Sequence, residues 1–462
     1  MREWEAATWR SGQTQAEVIR QVGRAVAQKV LRLTSAGDFV LLLAGRGHNG
    51  DDVRAAQEHL LAGRRVELLD VNPPEETLHL LDLALYKNPA LVVDGLFGIG
   101  LNRPLEEAWQ KFISRLNGDR LRVLAVDVPS GMNADTGETF GAAIEASLTL
   151  TVGAPKSGLL AARAWPFVGR LEVATEIGLL PCPFQSETVW TLPQDFAGFP
   201  PARAAAGHKG SFGHLAIIAG SVGYHGAAVL AARGAARAQP GLVSVFTPET
   251  AYHAIATQLQ GVMVKPWSAT EKIAAEFSAV LIGPGLAAAD LPGDMKMTAR
   301  KLWRDSLMPV IVDASALDWL PLDPVPKGAI RVITPHPGEA ARLLKTTAQR
   351  VQENRPRALR EISTNFGHCW VVLKGHQTLI GRSTAEIFVN PSGNPHLAQG
   401  GSGDLLAGYL AGLMAQPRLQ ADTGKTLRYA VWQHGAAADA LQVRRANWIS
   451  EDLATEIGEA QP

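Results

Sequence analysis

Two hydrophobic rhythms alternate along this chain. Short unbroken apolar runs are followed by longer stretches whose apolar positions recur every three or four residues. In the first third, F-V-L-L-L-A (39–44), R-V-E-L-L-D-V (65–71), A-L-V-V-D (90–94) and R-V-L-A-V-D-V (122–128) have the length and character of buried strands. Segments near 51–62, 75–86 and 104–116 have helical length and period. Strand–helix alternation of this kind predicts a parallel sheet with helices on both faces, a three-layer α/β/α domain. In such sheets ligands bind at the carboxyl ends of the strands.

The rhythm lapses near residue 181. P-C-P-F-Q-S and then L-P-Q-D-F-A-G-F-P-P-A-R are proline-rich and weakly periodic, the texture of a domain junction. A second α/β pattern follows: H-L-A-I-I-A-G-S (214–221), an alanine-rich helix near 226–239, and strands at 241–248, 279–285, 309–314, 331–339 and 370–375. The expected division is a first domain over 1–183, a junction over 184–206 and a second α/β domain over 207–462.

Composition narrows the class. A chain of 462 residues exceeds what one core usually holds and suits two domains. Forty-four basic residues balance 44 acidic ones, which gives no support to a nucleic-acid partner. Cys182 and Cys369 are the two cysteines, too few for a disulfide framework or a cysteine metal cluster. The start, M-R-E-W-E-A-A-T-W-R, has no apolar core like that of a secretory signal, and no apolar run nears the ~18 residues of a membrane span. The expectation is a cytoplasmic protein without a membrane partner.

Candidate chemistry sits where the strands end. A-G-R-G-H-N-G-D-D-V (44–53) follows the first strand, and Gly45, Gly47 and Gly50 satisfy G-x-G-x-x-G. With Asp70 about twenty residues on, this reads either as a dinucleotide fingerprint or as a plain tight turn. D-G-L-F-G-I-G-L-N-R-P-L (94–105) and D-V-P-S-G-M-N-A-D-T-G (127–137) each set an acid at a strand end, followed by glycine-rich backbone. One such acid is usually a cap or turn former. Three such loops at the ends of one sheet argue for a site.

The densest signal is Q-G-G-S-G-D-L-L-A-G (399–408): three glycines and a serine around Asp404, then an apolar helical run. Convergent amides at a helix N-terminus suit an anion. An acid in that field suits chemistry on a phosphate, with the amides holding the phosphoryl group and the carboxylate taking a proton from the attacking oxygen. The alternative is an ordinary first-turn helix acid. No G-x-x-x-x-G-K-[ST] sequence occurs, which argues against a P-loop enzyme.

These residues carry a family resemblance. The three first-domain loops resemble the G-x-G-N-N-G-G-D-G, D-A-x-F-G-T-G-L and D-V-P-S-G loops of NAD(P)H-hydrate epimerases. N-P-S-G-N-P-H-L-A-Q-G-G-S-G-D-L-L-A-G (390–408) resembles the signature of ADP/ATP-dependent NAD(P)H-hydrate dehydratases, members of the ribokinase-like superfamily. H-K-G-S-F-G-H (208–214), G-S-V-G-Y-H-G-A-A (220–228), G-P-G-L (283–286), D-A-S-A-L (313–317), T-P-H-P-G-E (334–339) and L-K-G-H-Q-T (373–378) follow in family order. The implied architecture is a Rossmann-like domain followed by a ribokinase-like α/β domain.

The resemblance implies a site for each domain. In the first, Asn49, Asp94 and Ser130 would hold K⁺. His48, Asn49, Gly50, Asp51, Asp52, Gly98, Ile99, Gly100, Leu101, Asn102, Arg103 and Pro104 would touch the hydrated cofactor, with Asp127 as acid/base. In the second, Asp404 would be the base and Gly401, Ser402 and Gly403 would hold the transferred phosphoryl. Lys374, Gly375, His376, Gln377 and Thr378 would line ADP or ATP, and Ala227 or Ala228, Gly285 and His336 would contact the NAD(P)H hydrate. Mg²⁺ would accompany the nucleotide, and a homo-oligomer is expected. Glu339 reads equally as a first-turn acid or as a group ordering water around magnesium, and His336 and Lys374 also have ordinary readings as a loop histidine and a solvated strand end.

Departures from the family pattern are His48 for asparagine, Asp51 and Val53 for glycine, Gln399 for threonine and His396 for glycine. A β-branched residue does not take positive φ cheaply, so Val53 implies an altered loop, and Asp51 sets negative charge where a phosphate-bearing ligand approaches. A competing function is a ribokinase-like small-molecule kinase whose first domain is a non-catalytic binding module.

Overall fold

The computed structural model describes residues 1–268, 273 and 276–461. The chain divides into two compact units, Met1–Gln185 and Ser186–Pro462. The first comprises α1 (Arg2–Arg10), α2 (Gln15–Leu33), β1 (Phe39–Ala44), α3 (His48–Leu60), β2 (Arg65–Asp70), α4 (Pro74–Tyr86), β3 (Leu91–Gly95), α5 (Glu107–Gly118), β4 (Val123–Val126), β5 (Leu148–Val152), α6 (Trp165–Val168) and β6 (Arg170–Ala174). Its sheet has the order β2-β1-β3-β4-β5-β6, with every pairing parallel.

Alternation within β1 shows how sequence builds the layers. Val40, Leu42 and Ala44 enter one core with Val22, Val26 and Val30 of α2 and Val53, Ala56 and Leu60 of α3. Phe39, Leu41 and Leu43 enter the other with Leu81 and Ala84 of α4 and Phe112, Ile113 and Leu116 of α5. Each fully buried leucine contributes about 1.5–3 kcal/mol by leaving water. Chain order reverses between β1 and β3, opening a crevice at their carboxyl ends.

Two strands escape the apolar-run pattern. β5 reads L-T-L-T-V, yet Thr149 and Thr151 are fully buried. The Thr149 hydroxyl donates to the Val168 carbonyl at 2.7 Å, so the polar atom is satisfied inside the sheet. β6 (R-L-E-V-A) is an edge strand whose polar residues face outward in part. Helix α2 is long and carries Val18, Val22, Val26 and Val30 on one buried face.

The second unit comprises β7 (Thr188–Trp190), β8 (His214–Ile218), α7 (His225–Arg237), β9 (Leu242–Thr247), α8 (Glu249–Ala256), β10 (Met263–Pro266), β11 (Ala279–Ile282), α9 (Gly293–Asp305), β12 (Val310–Val312), β13 (Arg331–Ile333), α10 (Pro337–Leu343), α11 (Ala348–Glu353), α12 (Arg355–Asn365), β14 (Trp370–Leu373), β15 (Leu379–Gly381), β16 (Ile387–Val389), α13 (Ser402–Met414), α14 (Pro417–Gln420), α15 (Thr423–Arg444) and α16 (Ser450–Glu456). Its sheet order is β10-β9-β8-β11-β12-β13-β14-β15-β16-β7, parallel except for the antiparallel pairs β14–β15 and β15–β16. The alanine-rich α7 lies close against α13, where Gly408 leaves room for the Ala231 carbonyl. That contact sets where the first turn of α13, and with it Asp404, emerges.

The stretch 184–206 differs from the expected junction. β7 adds to the outer edge of the second sheet beside β16, and Phe196 is fully buried in its core. A three-residue edge strand is too short to carry a period, and the prolines mask it. No helix among the described residues is long and apolar enough to cross a membrane.

Candidate active sites

In the first unit the loops after β1, β3 and β4 meet at the crevice. His48, Asn49, Asp52, Asp127 and the run Gly98 to Pro104 line a pocket of about 590 Å³, together with Arg46, Phe97 and Trp109. Two expected contacts fall outside that lining. Gly50 packs against the Gly45 backbone, and Asp51 turns to Arg54. The Arg54 guanidinium donates to Asp51 Oδ1 at 2.9 Å, Asp70 Oδ1 at 2.8 Å and the Gly45 carbonyl at 3.0 Å. Asp70, expected at the ribose position of a dinucleotide fingerprint, is engaged in that cluster.

Asp127 sits directly after β4 with φ 66°, a left-handed conformation that aspartate tolerates better than most residues. Its Oδ1 accepts from Val152 N at 2.9 Å, from the Thr151 hydroxyl at 3.3 Å and from Lys156 Nζ. All three donors fall on one oxygen, leaving Oδ2 without a protein partner among the described residues. Lys156 is itself buried and also donates to the Thr151 hydroxyl at 3.0 Å and the Val152 carbonyl at 2.8 Å. Sequence reading missed it, although a lysine inside T-V-G-A-P-K-S-G (151–158) was visible beside glycines. Asp52 faces the same pocket, and burial, followed by the Asp127 charge, raises its pKa well above the ordinary carboxylate value.

Beneath the pocket, Asn49, Asp94 and Ser130 come together. Asp94 is fully buried and accepts from Ser130 N at 2.9 Å, the Ser130 hydroxyl at 2.6 Å and Leu96 N at 3.2 Å. Burial pushes its pKa up to about 6 despite those bonds. The Asn49 amide donates to the Phe97 carbonyl at 2.8 Å, and Phe97 N donates to Ser130 Oγ at 2.8 Å. The donors are all hard oxygens: a carboxylate, a hydroxyl, the Asn49 amide oxygen and the Phe97 carbonyl that sequence reading had not named. No basic side chain among the described residues pairs with Asp94, so a hard cation fits the site chemically.

In the second unit the loops after β8, β11, β12, β13 and β14 converge on the N-terminus of α13. Gly401 caps that helix with φ 88°, left-handed backbone that a side chain would strain. The turn leaves the amides of Ser402, Gly403 and Asp404 at the helix start without intrahelical acceptors. His434 of α15 braces it from behind, with Nε2 3.0 Å from the Ser402 carbonyl. Burial lowers the His434 pKa to about 4, so it serves as a neutral donor there. Sequence reading gave no hint of it.

Asp404 is partly buried, and no hydrogen bond reaches its carboxylate from the described residues. Burial, with the Asp313 and Glu339 charges adding to it and Lys374 opposing, raises its pKa to about 7. Lys374 directly follows β14 and donates to Asp313 Oδ1 at 2.8 Å, with Glu339 Oε2 at 3.9 Å. Burial alone would lower the lysine's pKa, but those carboxylates outweigh it and raise it. Thr334 donates to Asp313 at 2.6 Å, so Asp313 holds Lys374 in place. Lys374 is therefore no solvated strand end.

The other expected residues divide. His336 is exposed, and its Nδ1 accepts from Gly338 N at 3.0 Å as the cap of α10. Glu339 returns a bond from His336 N to its Oε2 at 2.8 Å, a reciprocal capping box. Ala227 faces Gly285, whereas Ala228 is fully buried in the core and offers nothing to a ligand. Ser221 ties the two loops together by donating to the Gly285 carbonyl at 2.6 Å. Gln399 donates to the backbone carbonyl of residue 396 at 2.7 Å, a bond that does not involve the His396 side chain. The 208–214 motif does not join this site: Gly210, Gly213 and His214 line a separate cavity of about 490 Å³ at the amino ends of the strands.

Comparison with known proteins matches two separate parts of the chain. The family described as NAD(P)H-hydrate dehydratase matches residues 215–462, and that described as YjeF-related protein N-terminus matches 72–158. A bifunctional NAD(P)H-hydrate repair enzyme Nnr from Gloeobacter violaceus is 34% identical, over 96% of this chain and 92% of its own. The chain belongs to the bifunctional NAD(P)H-hydrate repair enzyme family. The Coxiella burnetii member is 33% identical over 95% of this chain and 93% of its own. The second unit resembles the crystal structure of a Bacillus subtilis ADP/ATP-dependent NAD(P)H-hydrate dehydratase co-crystallised with ATP/Mg²⁺. That likeness has a TM-score of 0.52 at 28% identity, covering 59% of this chain and 96% of the other.

Against the repair-family loop pattern, the departures in 45–53 are accommodated. Val53 lies inside α3 and takes no positive φ, so no backbone conflict arises. It is fully buried, and a Cβ on Gly95 would stand 2.4 Å from its Cγ2. The epimerase pattern has glycine at 53 and alanine at 95; here the bulk has moved across the contact. The Asp51 charge is taken by Arg54 rather than by the pocket.

Proposed function

We propose that this chain restores hydrated nicotinamide cofactors, its second domain dehydrating the S epimer of NADH or NADPH hydrate at the expense of ADP or ATP. The observation that carries the reading is Asp404. It is a carboxylate with its pKa raised to about 7, free of hydrogen-bond partners among the described residues, in the first turn of a helix whose leading amides suit an anion. Such a group is poised to accept a proton at neutral pH. Asp404 takes the proton of the ring hydroxyl, whose oxygen attacks the terminal phosphorus and displaces AMP from ADP, or ADP from ATP. The ring C–O bond then breaks, phosphate departs, a proton leaves the adjacent ring carbon and the dihydropyridine is restored. The Ser402 and Gly403 amides and Lys374 stabilise charge on the phosphoryl group in transit. Magnesium would neutralise charge on the phosphates when bound, and Asp313, Glu339 and Asp404 are the carboxylates close enough to attract it.

The first domain interconverts the R and S hydrates, so that both reach the second site. Asp127 is its acid/base, oriented through Oδ1 by Lys156 and Val152 N. Asn49, Asp94, Phe97 and Ser130 would hold potassium, which would supply positive charge beneath the substrate. A mixture of both NADH-hydrate epimers, given the chain with Mg²⁺, K⁺ and ADP or ATP, should recover its near-ultraviolet absorbance completely. A stable phosphorylated product without recovery would overturn the reading in favour of a small-molecule kinase.

A further inference from the structure

Arg355 opens α12 and is buried beneath the loop that joins β14 to β15. Its guanidinium donates to four carbonyls of that loop's backbone. Nη2 reaches the Leu373 carbonyl at 3.0 Å and the Lys374 carbonyl at 3.4 Å, while Nη1 reaches the Gln377 carbonyl at 3.1 Å and that of His376. The loop needs such a template. Gly375 has φ 127° and Gln377 φ 52°, two left-handed residues in three positions, one of them bearing a side chain.

A trans peptide sets C=O and N–H on opposite sides. Carbonyls 376 and 377 turned inward to Arg355 therefore turn the Gln377 and Thr378 amides outward, away from the guanidinium. The same bonds fix the backbone of Lys374, whose Nζ would lie 3.4 Å from a Cβ placed on Gly403. Burial of an arginine is not by itself a functional sign. Arg331 is equally buried and donates to the carbonyls of Trp303 at 2.6 Å and Met308 at 3.2 Å, but those close the end of α9. Arg355 differs in the loop it serves.

We propose that Arg355 is a positioning residue for the nucleotide. It draws the carbonyls of 373–377 inward, so that outward-facing amides and Lys374 receive the phosphates and base of ADP or ATP. This rests on the reading of 374–378 as the nucleotide loop. Arg355 itself touches no substrate. A lysine cannot replace it, because one ammonium cannot span carbonyls on both arms of the loop.

The test compares Arg355→Lys and Arg355→Ala in the full chain, measuring S-hydrate dehydration against nucleotide and hydrate concentration separately. Both variants should raise the nucleotide KM about tenfold or more while leaving the hydrate KM within about twofold. Added guanidinium ion should lower the nucleotide KM of Arg355→Ala but not of Arg355→Lys. Dehydration kcat at saturating nucleotide and hydrate, with the cooperativity of thermal unfolding, reports that the second unit is folded, and should Arg355→Ala fail to fold, the lysine variant decides. A nucleotide KM unchanged within about twofold, with only a lower melting temperature, would make Arg355 a structural residue and overturn the proposal. If the unaltered chain neither uses nor binds ADP or ATP in equilibrium dialysis, the nucleotide reading itself fails, and that result is seen before any variant is made.

Discussion

Asp94 and Asp404 are both acids at the ends of α/β elements, and both have raised pKa values, about 6 and about 7. Their surroundings differ in kind. Asp94 is fully buried and accepts three hydrogen bonds, two of them from Ser130. Asp404 accepts none from the described residues and stands beside Lys374, Asp313 and Glu339 at an open helix N-terminus. A carboxylate fixed by donors keeps its shape and charge, as a cation ligand must. One left without donors, in a field of opposing charges, can gain and lose a proton at little cost. The same residue type at the same kind of position is thus suited to cation binding in one domain and to proton transfer in the other.

The comparison breaks most sharply at Asp404. Asp404→Asn should lower the rate of nucleotide-dependent dehydration by about 10²–10⁴-fold, while epimerisation by the same chain continues at its original rate. A variant that kept full repair would put the base elsewhere. Asp94→Asn should act in the opposite pattern. Dehydration of pure S hydrate stays intact, whereas epimerisation needs at least about tenfold more K⁺ for half its maximal rate. Unchanged potassium dependence would remove Asp94 from the ligand set.

A smaller effect tests the frame that holds Asn49 beside Asp94. Gly95→Ala would set a methyl 2.4 Å from Val53 Cγ2 and 2.8 Å from the Asn49 carbonyl oxygen. It should cost about 1–3 kcal/mol of stability and slow epimerisation. Adding Val53→Gly should relieve part of that cost, giving a non-additive pair in chemical denaturation. Strict additivity would show that the two residues do not share the space.

Most of the fold was legible because buried parallel strands are written as continuous apolar runs. β1, β4, β8 and β11 lie within the runs that announced them. β5 was not, because its threonines satisfy their hydroxyls inside the sheet and so look polar only in sequence. β7 and β16 are three residues long and leave no period to read. At the candidate sites, the glycine-rich loops drew notice to Asp94, Asp127 and Asp404, because several such acids fall at the strand ends and helix start where α/β ligands bind. Lys156, His434 and Arg355 stayed hidden. Each acts through backbone carbonyls or a single partner that folding brings from elsewhere, and nothing local in the sequence marks such a bond. Val53 misled because position 53 lies inside α3, where no positive φ is needed and a β-branched residue fits.

The most direct test of the assignment is the pH dependence of the dehydration rate on pure S hydrate at saturating nucleotide and Mg²⁺. With Asp404 as the base, its raised pKa means that the active, deprotonated form is lost as pH falls through about 7. The rate should climb from about pH 5.5, pass its half-maximal value near pH 7 and level off by about pH 8.5. A rate that stays flat across that range would contradict proton transfer to Asp404.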